Sequence, residues 1–274
     1  MRSLVVITGA SRGIGRACAL AFVKEKSFLD LHVALVARNL EGLTETERQI
    51  RSVSGAKNVT ISKHSSDLSN LDCLEDDIKC IFDTLSEGTQ YEQVILINNA
   101  GSLGYIGASS NLPSPKEIQK TIDFNVTSCI WLSSYFVQYF AKQLSIPKVN
   151  VVNMSSLCGI SPFKTLALYC SGKAARDMFH QTLGIEEEQR KVSHVRVLNY
   201  APGAIDTAMT EELETTKTLD SSLSQFYKKS RDEKTYITPM ETASNLISIL
   251  LNDEYKNGLH IDYWDDKVIS DIQE

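Results

Sequence analysis

Three side chains in the second half of this 274-residue chain could together exchange a proton with a carbonyl oxygen. Tyr169 and Lys173 stand four residues apart, and Ser156 lies thirteen residues before the tyrosine. Four residues is about one helical turn, so on a helix the two side chains share a face. A free phenol ionises at about 10, too high for ready proton exchange at neutral pH. An ammonium beside it stabilises the tyrosinate and draws that value down. Reaching about 7 takes roughly 4 kcal/mol, which a close lysine in a partly dry site and a cofactor's charge could supply together. The Ser156 hydroxyl could steady the carbonyl oxygen beside Tyr169. The Y-x-x-x-K spacing is common by chance, so the surrounding elements must decide.

A second constellation lies at the N-terminus. Thr8-Gly9-Ala10-Ser11-Arg12-Gly13-Ile14-Gly15 follows a run of strand character and opens a helical pattern at Arg16. Between strand and helix, glycines allow a tight turn and close approach of a pyrophosphate, which the helix N-terminus also attracts. The spacing is G-x-x-x-G-x-G. At the end of the next strand an acidic residue would hold the ribose 2′-hydroxyl of NAD. The chain has Ala37-Arg38-Asn39 there instead. Arg38 and Arg12 could hold a 2′-phosphate through charge-assisted hydrogen bonds, so the expected cofactor is NADPH or NADP+.

The elements that must position these residues are legible as strand-length apolar runs at 4–8, 32–37, 59–62, 94–97, 149–154, 195–199 and 258–263. Helical patterns at 13–26, 40–52, 70–86, 115–143, 165–190 and 239–252 alternate with them. Continuous Val/Ile/Leu runs suit strands covered on both faces, and the alternation predicts an α/β fold: a Rossmann-type doubly wound parallel sheet of about seven strands. No repeat or Pro/Gly/Ser linker divides the chain, so one NADP-binding domain over 1–274 is expected. The polar stretch 210–238 has no glycine and no clear strand. It reads either as a lid over the substrate or as a solvated excursion with a short helix.

Composition narrows the function classes. Lys and Arg number 28 against 34 Asp and Glu, a net charge of −6, which argues against nucleic acid as a partner. No run approaches the ~20 apolar residues of a membrane span, and residues 4–7 are too few for a signal-peptide core. The six cysteines form no C-x-x-C pair and the five histidines are scattered, so no metal site is expected. Free thiols in a reducing cytoplasm is the reading that follows.

With Asn98-Asn99-Ala100-Gly101, Asn125 and Pro202-Gly203 added to these motifs, the chain resembles the short-chain dehydrogenase/reductase family over nearly its whole length. The resemblance implies that Tyr169 is the general acid, that Ser156 positions the carbonyl, and that Lys173 binds the nicotinamide ribose while lowering the Tyr169 pKa. Asn125 would maintain a proton relay. Asn99, Ala100 and Gly101 would line the adenosine side, and Asp67 and Leu68 would meet the adenine. Gly9, Ser11, Arg12, Gly13, Ile14, Gly15, Arg38, Asn39, Pro202, Gly203, Ile205, Thr207 and Met209 would complete the cofactor site. A homodimer through helices 115–143 and 165–190 is also implied.

Within the family, stretches 155–158, 162–164, 167–178, 199–209 and 258–265 are most similar to members that reduce a pterin's side-chain ketone in tetrahydrobiopterin synthesis. That likeness implies a substrate pocket of Ser156, Leu157, Tyr169, Gly203 and Asp262, with Asp262 anchoring the amino-pyrimidine. A 2-amino-4-oxo pyrimidine offers adjacent N–H donors to a carboxylate. Asp262 could also merely end a strand at the surface. Three readings stay open: a pterin-ketone reductase, a reductase of diketones such as benzil, and a dinucleotide-binding module without chemistry. The last fits poorly with Ser156, Tyr169 and Lys173 all being present.

Overall fold

The apolar runs pair into one sheet. The computed structural model describes residues 2–55, 58–190 and 194–265. Among them seven strands, β1 (Arg2–Thr8), β2 (Asp30–Ala37), β3 (Asn58–Ser65), β4 (Gln93–Asn98), β5 (Lys148–Met154), β6 (Val195–Ala201) and β7 (His260–Asp262), lie parallel in the order β3-β2-β1-β4-β5-β6-β7. The helices are α1 (Gly13–Lys24), α2 (Leu40–Val53), α3 (Leu71–Ser86), α4 (Pro115–Ile122), α5 (Ser128–Phe136), α6 (Ala167–Gln189), α7 (Ala208–Thr215), α8 (Ser221–Asp232) and α9 (Pro239–Asn252).

Alternation along each strand sends side chains to opposite faces. On β1, Val5 and Ile7 join the core beneath α1, α2 and α9, while Leu4 and Val6 join the core beneath α3, α5 and α6. Each fully buried aliphatic side chain contributes ~1.5–3 kcal/mol, which is why the central strands β1 and β4 are built mainly of Val, Ile and Leu, while the edge strand β3 is largely polar. The sheet order reverses between β1 and β4, and this opens a crevice at their carboxyl ends. There Thr8 Oγ1 accepts the backbone N–H groups of Asn99 and Ala100 at 2.9 and 3.0 Å, and Asn99 Nδ2 donates to the Thr8 carbonyl. These bonds fix the glycine turn against the Asn99–Gly101 loop.

The structure departs from the sequence expectation in detail. The helical stretch 115–143 is interrupted by two π turns, Asp123–Thr127 and Val137–Gln143. A π turn accommodates an extra residue without breaking the apolar pattern, so periodicity does not reveal it. Strand β3 runs three residues beyond its expected end at 62, to Ser65, and β7 is shorter than 258–263. The 210–238 stretch holds two helices, α7 beginning just before it and α8 within it, rather than one short helix.

Candidate active site

The turn after β1 is shaped for an anion. Gly13 has φ +54°, and a Cβ there would meet only Thr207 Cγ2, at 3.7 Å. Gly15 is the point of closest approach, where a Cβ would lie 2.3 Å from the Gly9 carbonyl oxygen. Arg12 stands at the α1 N-cap without a side-chain capping bond, and the first turn holds no acidic residue. The leading N–H groups therefore keep their positive end toward the crevice, as a pyrophosphate requires. Arg16, which the sequence reading passed over, braces this turn. Its guanidinium donates to Thr46 Oγ1 at 3.0 Å and to the Ser11 carbonyl.

At the tip of β2, Arg38 is exposed, 3.7 Å from Asp67 Oδ2 and over the Phe124 ring at 5.9 Å. Arg12, in the glycine turn, is exposed as well. Asn39 caps α2 through the Gly42 N–H at 2.8 Å. Asp67 accepts from the Ser69 N–H and hydroxyl, and Leu68 is buried in the core. Of that pair, Asp67 alone keeps a partly exposed side chain at this edge.

Ser156, Tyr169 and Lys173 come together at the carboxyl end of β5. Ser156 follows the strand and caps a short turn by accepting the Cys158 N–H at 3.2 Å. Tyr169 and Lys173 project from the first two turns of α6, with Lys173 Nζ 5.6 Å from the phenol ring centroid. Lys173 is 7% exposed and donates to the Met154 carbonyl at 2.5 Å. Burial, reinforced by the neighbouring Arg176 guanidinium, holds its pKa down to about 7. Burial pushes the Tyr169 phenol up, with Cys158 adding to the rise and Ser156 opposing it.

In the chain by itself burial outweighs the lysine's pull on the phenol, whereas the sequence expectation joined that lysine to a cofactor's charge. At neutral pH the pair is a protonated phenol beside a lysine poised between its two forms.

Asn125, 5% exposed in the first π turn, accepts the Ser102 N–H and donates to the Ser102 carbonyl, both at 2.8 Å. Its side chain is thus committed to Ser102, and the residue borders a narrow gap together with Tyr169, Gly172, Lys173 and Arg176. Above the phenol, Met209 Sδ lies 4.0 Å from Tyr169 Oη. Leu213, Leu219, Leu223 and Tyr227 of the α7–α8 hairpin pack with Leu103, Ile106 and Leu166 around it. The hairpin is stitched down by Thr218 Oγ1 donating to the Ile106 carbonyl at 2.6 Å and by the Asp220 N–H donating to Thr165 Oγ1 at 2.9 Å. Arg231 joins its two helices to the preceding loop through Glu214 and Asp206.

The remaining expected residues sit on the same side of the sheet's carboxyl edge. Gly203 has φ +79°, and a Cβ there would lie 3.7 Å from Trp264 Nε1, which brings the Pro202-Gly203 turn against the turn after β7. Pro202 is buried, its carbonyl accepting from Thr242 Oγ1 at 3.0 Å. Ile205 bridges to Ile237, and Thr207 and Thr210 cap α7 reciprocally. Leu157 is exposed beside Ser156. Asp262 is half-buried; its Oδ1 accepts the Trp264 N–H at 3.0 Å, and burial raises its pKa.

Residues 3–218 match the family model of short chain dehydrogenases. The chain belongs to the short-chain dehydrogenase family. It is an oxidoreductase by that membership. It is 35% identical to sepiapterin reductase of Bos taurus over 268 residues, covering 97% of this chain and 96% of that one. It is 29% identical over 247 residues to the (S)-benzoin-forming benzil reductase of Bacillus subtilis, covering 90% of this chain and 93% of that one. Its fold is similar to the crystal structure of NAD+-bound xylitol dehydrogenase, with TM-score 0.77 at 20% identity over 96% of this chain and 97% of that one.

Beneath the short-chain dehydrogenase motif lies a buried polar network that no motif announced. Arg176, 1% exposed, donates to Asn153 Oδ1 at 2.7 Å, the Asn98 carbonyl at 2.6 Å and the Ala100 carbonyl at 3.1 Å. Asp177 Oδ1 accepts from Asn153 Nδ2 at 2.9 Å, and Asp177 Oδ2 pairs with His260 Nδ1 at 2.6 Å. The one available signal was an Arg-Asp pair one turn after Lys173, where an amphipathic helix would ordinarily bury an apolar residue.

Proposed function

We propose that this short-chain dehydrogenase reduces the side-chain ketone of a pterin and prefers NADPH. The observation that carries the substrate class is Asp262. A half-buried carboxylate at the carboxyl edge of the sheet, with an oxygen that meets no donor among the described residues, suits the paired N–H groups of an amino-pyrimidine. The likeness to sepiapterin reductase over nearly the full chain supports the same reading. Arg12 and Arg38, exposed at the two tips where a 2′-phosphate would lie, support NADPH.

The dinucleotide would lie on the glycine turn, with its adenosine toward Asn99, Ala100, Gly101 and Asp67 and its nicotinamide end toward Lys173, Gly203, Ile205, Thr207 and Met209. When bound, it supplies the hydride. The chain's own residues manage the proton. Tyr169, kept protonated by burial, donates to the ketone oxygen while the Ser156 hydroxyl bonds the same oxygen. Lys173, with a pKa of about 7, restores the phenol's proton. Asn125, in its π turn beside Lys173, lines the route by which the lysine is resupplied. Residues 208–232 serve as the substrate loop of a single cofactor-binding domain, excluding water above Tyr169.

The enzyme acts as a homodimer through the helical faces of 115–143 and 165–190, where Met178 and Ile185 expose apolar side chains. Six unpaired cysteines suit the cytoplasm. A diketone reductase is the second reading, favoured by the likeness to benzil reductase. Asp262→Ala separates the two. It should lower kcat/KM for sepiapterin by about a hundredfold or more and lower it far less for benzil, which has no N–H donors for the carboxylate. Equal losses on both substrates would remove the pterin reading.

A further inference from the structure

Strand β7 pairs with β6 over only three residues, His260, Ile261 and Asp262, at the edge of the sheet. Backbone bonds continue past it on both sides, from the Asn199 N–H to the Leu259 carbonyl at 2.9 Å and from the Tyr263 N–H to the Ala201 carbonyl at 2.8 Å, so the strand's backbone is held against β6 while its tie to α6 is left to side chains. Its side chains alternate: Ile261 packs into the core beneath α1 and α9, which puts His260 and Asp262 together on the opposite face, toward α6. From that face His260 Nδ1 donates to Asp177 Oδ2 at 2.6 Å, with the two side chains only 9% and 3% exposed. Asp177 is itself immobilised. Its other oxygen is held by Asn153 at the end of β5, and Asn153 is gripped in turn by Arg176. A Cβ on Gly159 would lie 2.8 Å from Asp177 Oδ2, so this carboxylate also abuts the turn that begins at Ser156. Eight residues, ~12 Å of helix, separate Asp177 from Tyr169.

We propose that His260 is a positioning residue for substrate: through Asp177 it fixes β7, and with it Asp262, at a set distance from Ser156 and Tyr169. The proposal rests on the reading of Asp262 as the substrate's anchor. A substrate held at its far end by Asp262 must present its ketone to Tyr169, and an anchor that is not pre-positioned has to be ordered as substrate binds, which raises KM while leaving the bound geometry, and so kcat, nearly intact. The backbone bonds tie β7 to β6; the bond from His260 to a locked carboxylate ties it to α6, the helix that carries Tyr169. The geometry also explains why position 159 is a glycine, since any side chain there would displace Asp177.

The test exploits the two ring nitrogens. In His260→Gln the amide nitrogen falls near the place of Nε2 and misses Asp177; in His260→Asn it falls near the place of Nδ1 and keeps the bond. Steady-state kinetics of the purified enzyme with NADPH, on sepiapterin and on benzil, are measured for both variants and for Asp262→Ala, with thermal midpoints alongside. For His260→Gln we expect the sepiapterin KM to rise about tenfold or more, kcat to change by less than about threefold, and the benzil KM to move by less than about threefold. His260→Asn should return the sepiapterin KM to within about threefold of the parent. Adding His260→Gln to Asp262→Ala should cost nothing further on sepiapterin. A harmless His260→Gln alongside a substrate-selective Asp262→Ala overturns this proposal and leaves the pterin reading standing. A non-selective Asp262→Ala overturns both. Losses that follow the thermal midpoint equally on both substrates reduce His260 to a structural residue.

Discussion

Tyr169 and Lys173 carry opposite perturbations from one cause. Burial disfavours the charged form of each, so the phenol is pushed up and the ammonium down to about 7. For reduction this is a serviceable pair, because the acid stays protonated and its neighbour exchanges a proton near neutrality. Tyr169→Phe keeps the ring and its packing under Met209 but removes the proton. Its kcat should fall at least about a hundredfold with NADPH affinity within about threefold, read by single-turnover kinetics and fluorescence titration. Loss of NADPH binding in that variant would make Tyr169 a structural residue. The identity of this pair was legible in the sequence because Y-x-x-x-K specifies a shared helix face. The effect of burial on the pair was not legible, since it depends on how α6 and the α7–α8 hairpin bury Lys173 and partly cover Tyr169.

The strand-to-helix turns are where sequence and structure agree most closely, because glycine spacing leaves the backbone little choice. Gly15→Ala would put a Cβ 2.3 Å from the Gly9 carbonyl, and that atom belongs to a backbone already tied to Asn99 through Thr8. The turn must open, and NADPH affinity should drop about a hundredfold or more in a fluorescence titration. An unchanged affinity would show that the turn does not hold the pyrophosphate. Other elements hid from the sequence for identifiable reasons. The π turns at Asp123–Thr127 and Val137–Gln143 leave the apolar pattern intact. Helices α7 and α8 are short, and their apolar residues meet partners from the loop at Leu103 and Ile106, so local periodicity understates them. The Arg176–Asp177–His260 network is invisible for a different reason: its members are polar residues whose burial is decided by β5, β6 and β7 together.

At the scale of the molecule, burial of polar groups makes stability depend on acidity. His180 is fully buried, its Nδ1–H donating to the Arg176 carbonyl at 2.7 Å and its Nε2 accepting from Ser133 Oγ at 2.8 Å, and burial holds its pKa down to about 4. His32 is lowered to about 4 for the same main reason. The unfolded chain takes up these protons near 6.5 and the folded chain does not. Stability is therefore full above about 6.5 and declines as pH falls from there to about 4, with His180 alone accounting for roughly 3 kcal/mol. Urea unfolding midpoints should drop steadily between pH 7 and pH 5, about where these groups titrate, and a flat profile would contradict this. On the proposed function, the site beside Tyr169 takes a pterin ketone and the crevice at the β1–β4 reversal takes NADPH. Initial rates on sepiapterin and benzil, each with NADPH and NADH, test it most directly. Sepiapterin with NADPH should show a kcat/KM at least about tenfold above each other combination. Benzil turned over as well as sepiapterin, or NADH serving as well as NADPH, would contradict the account.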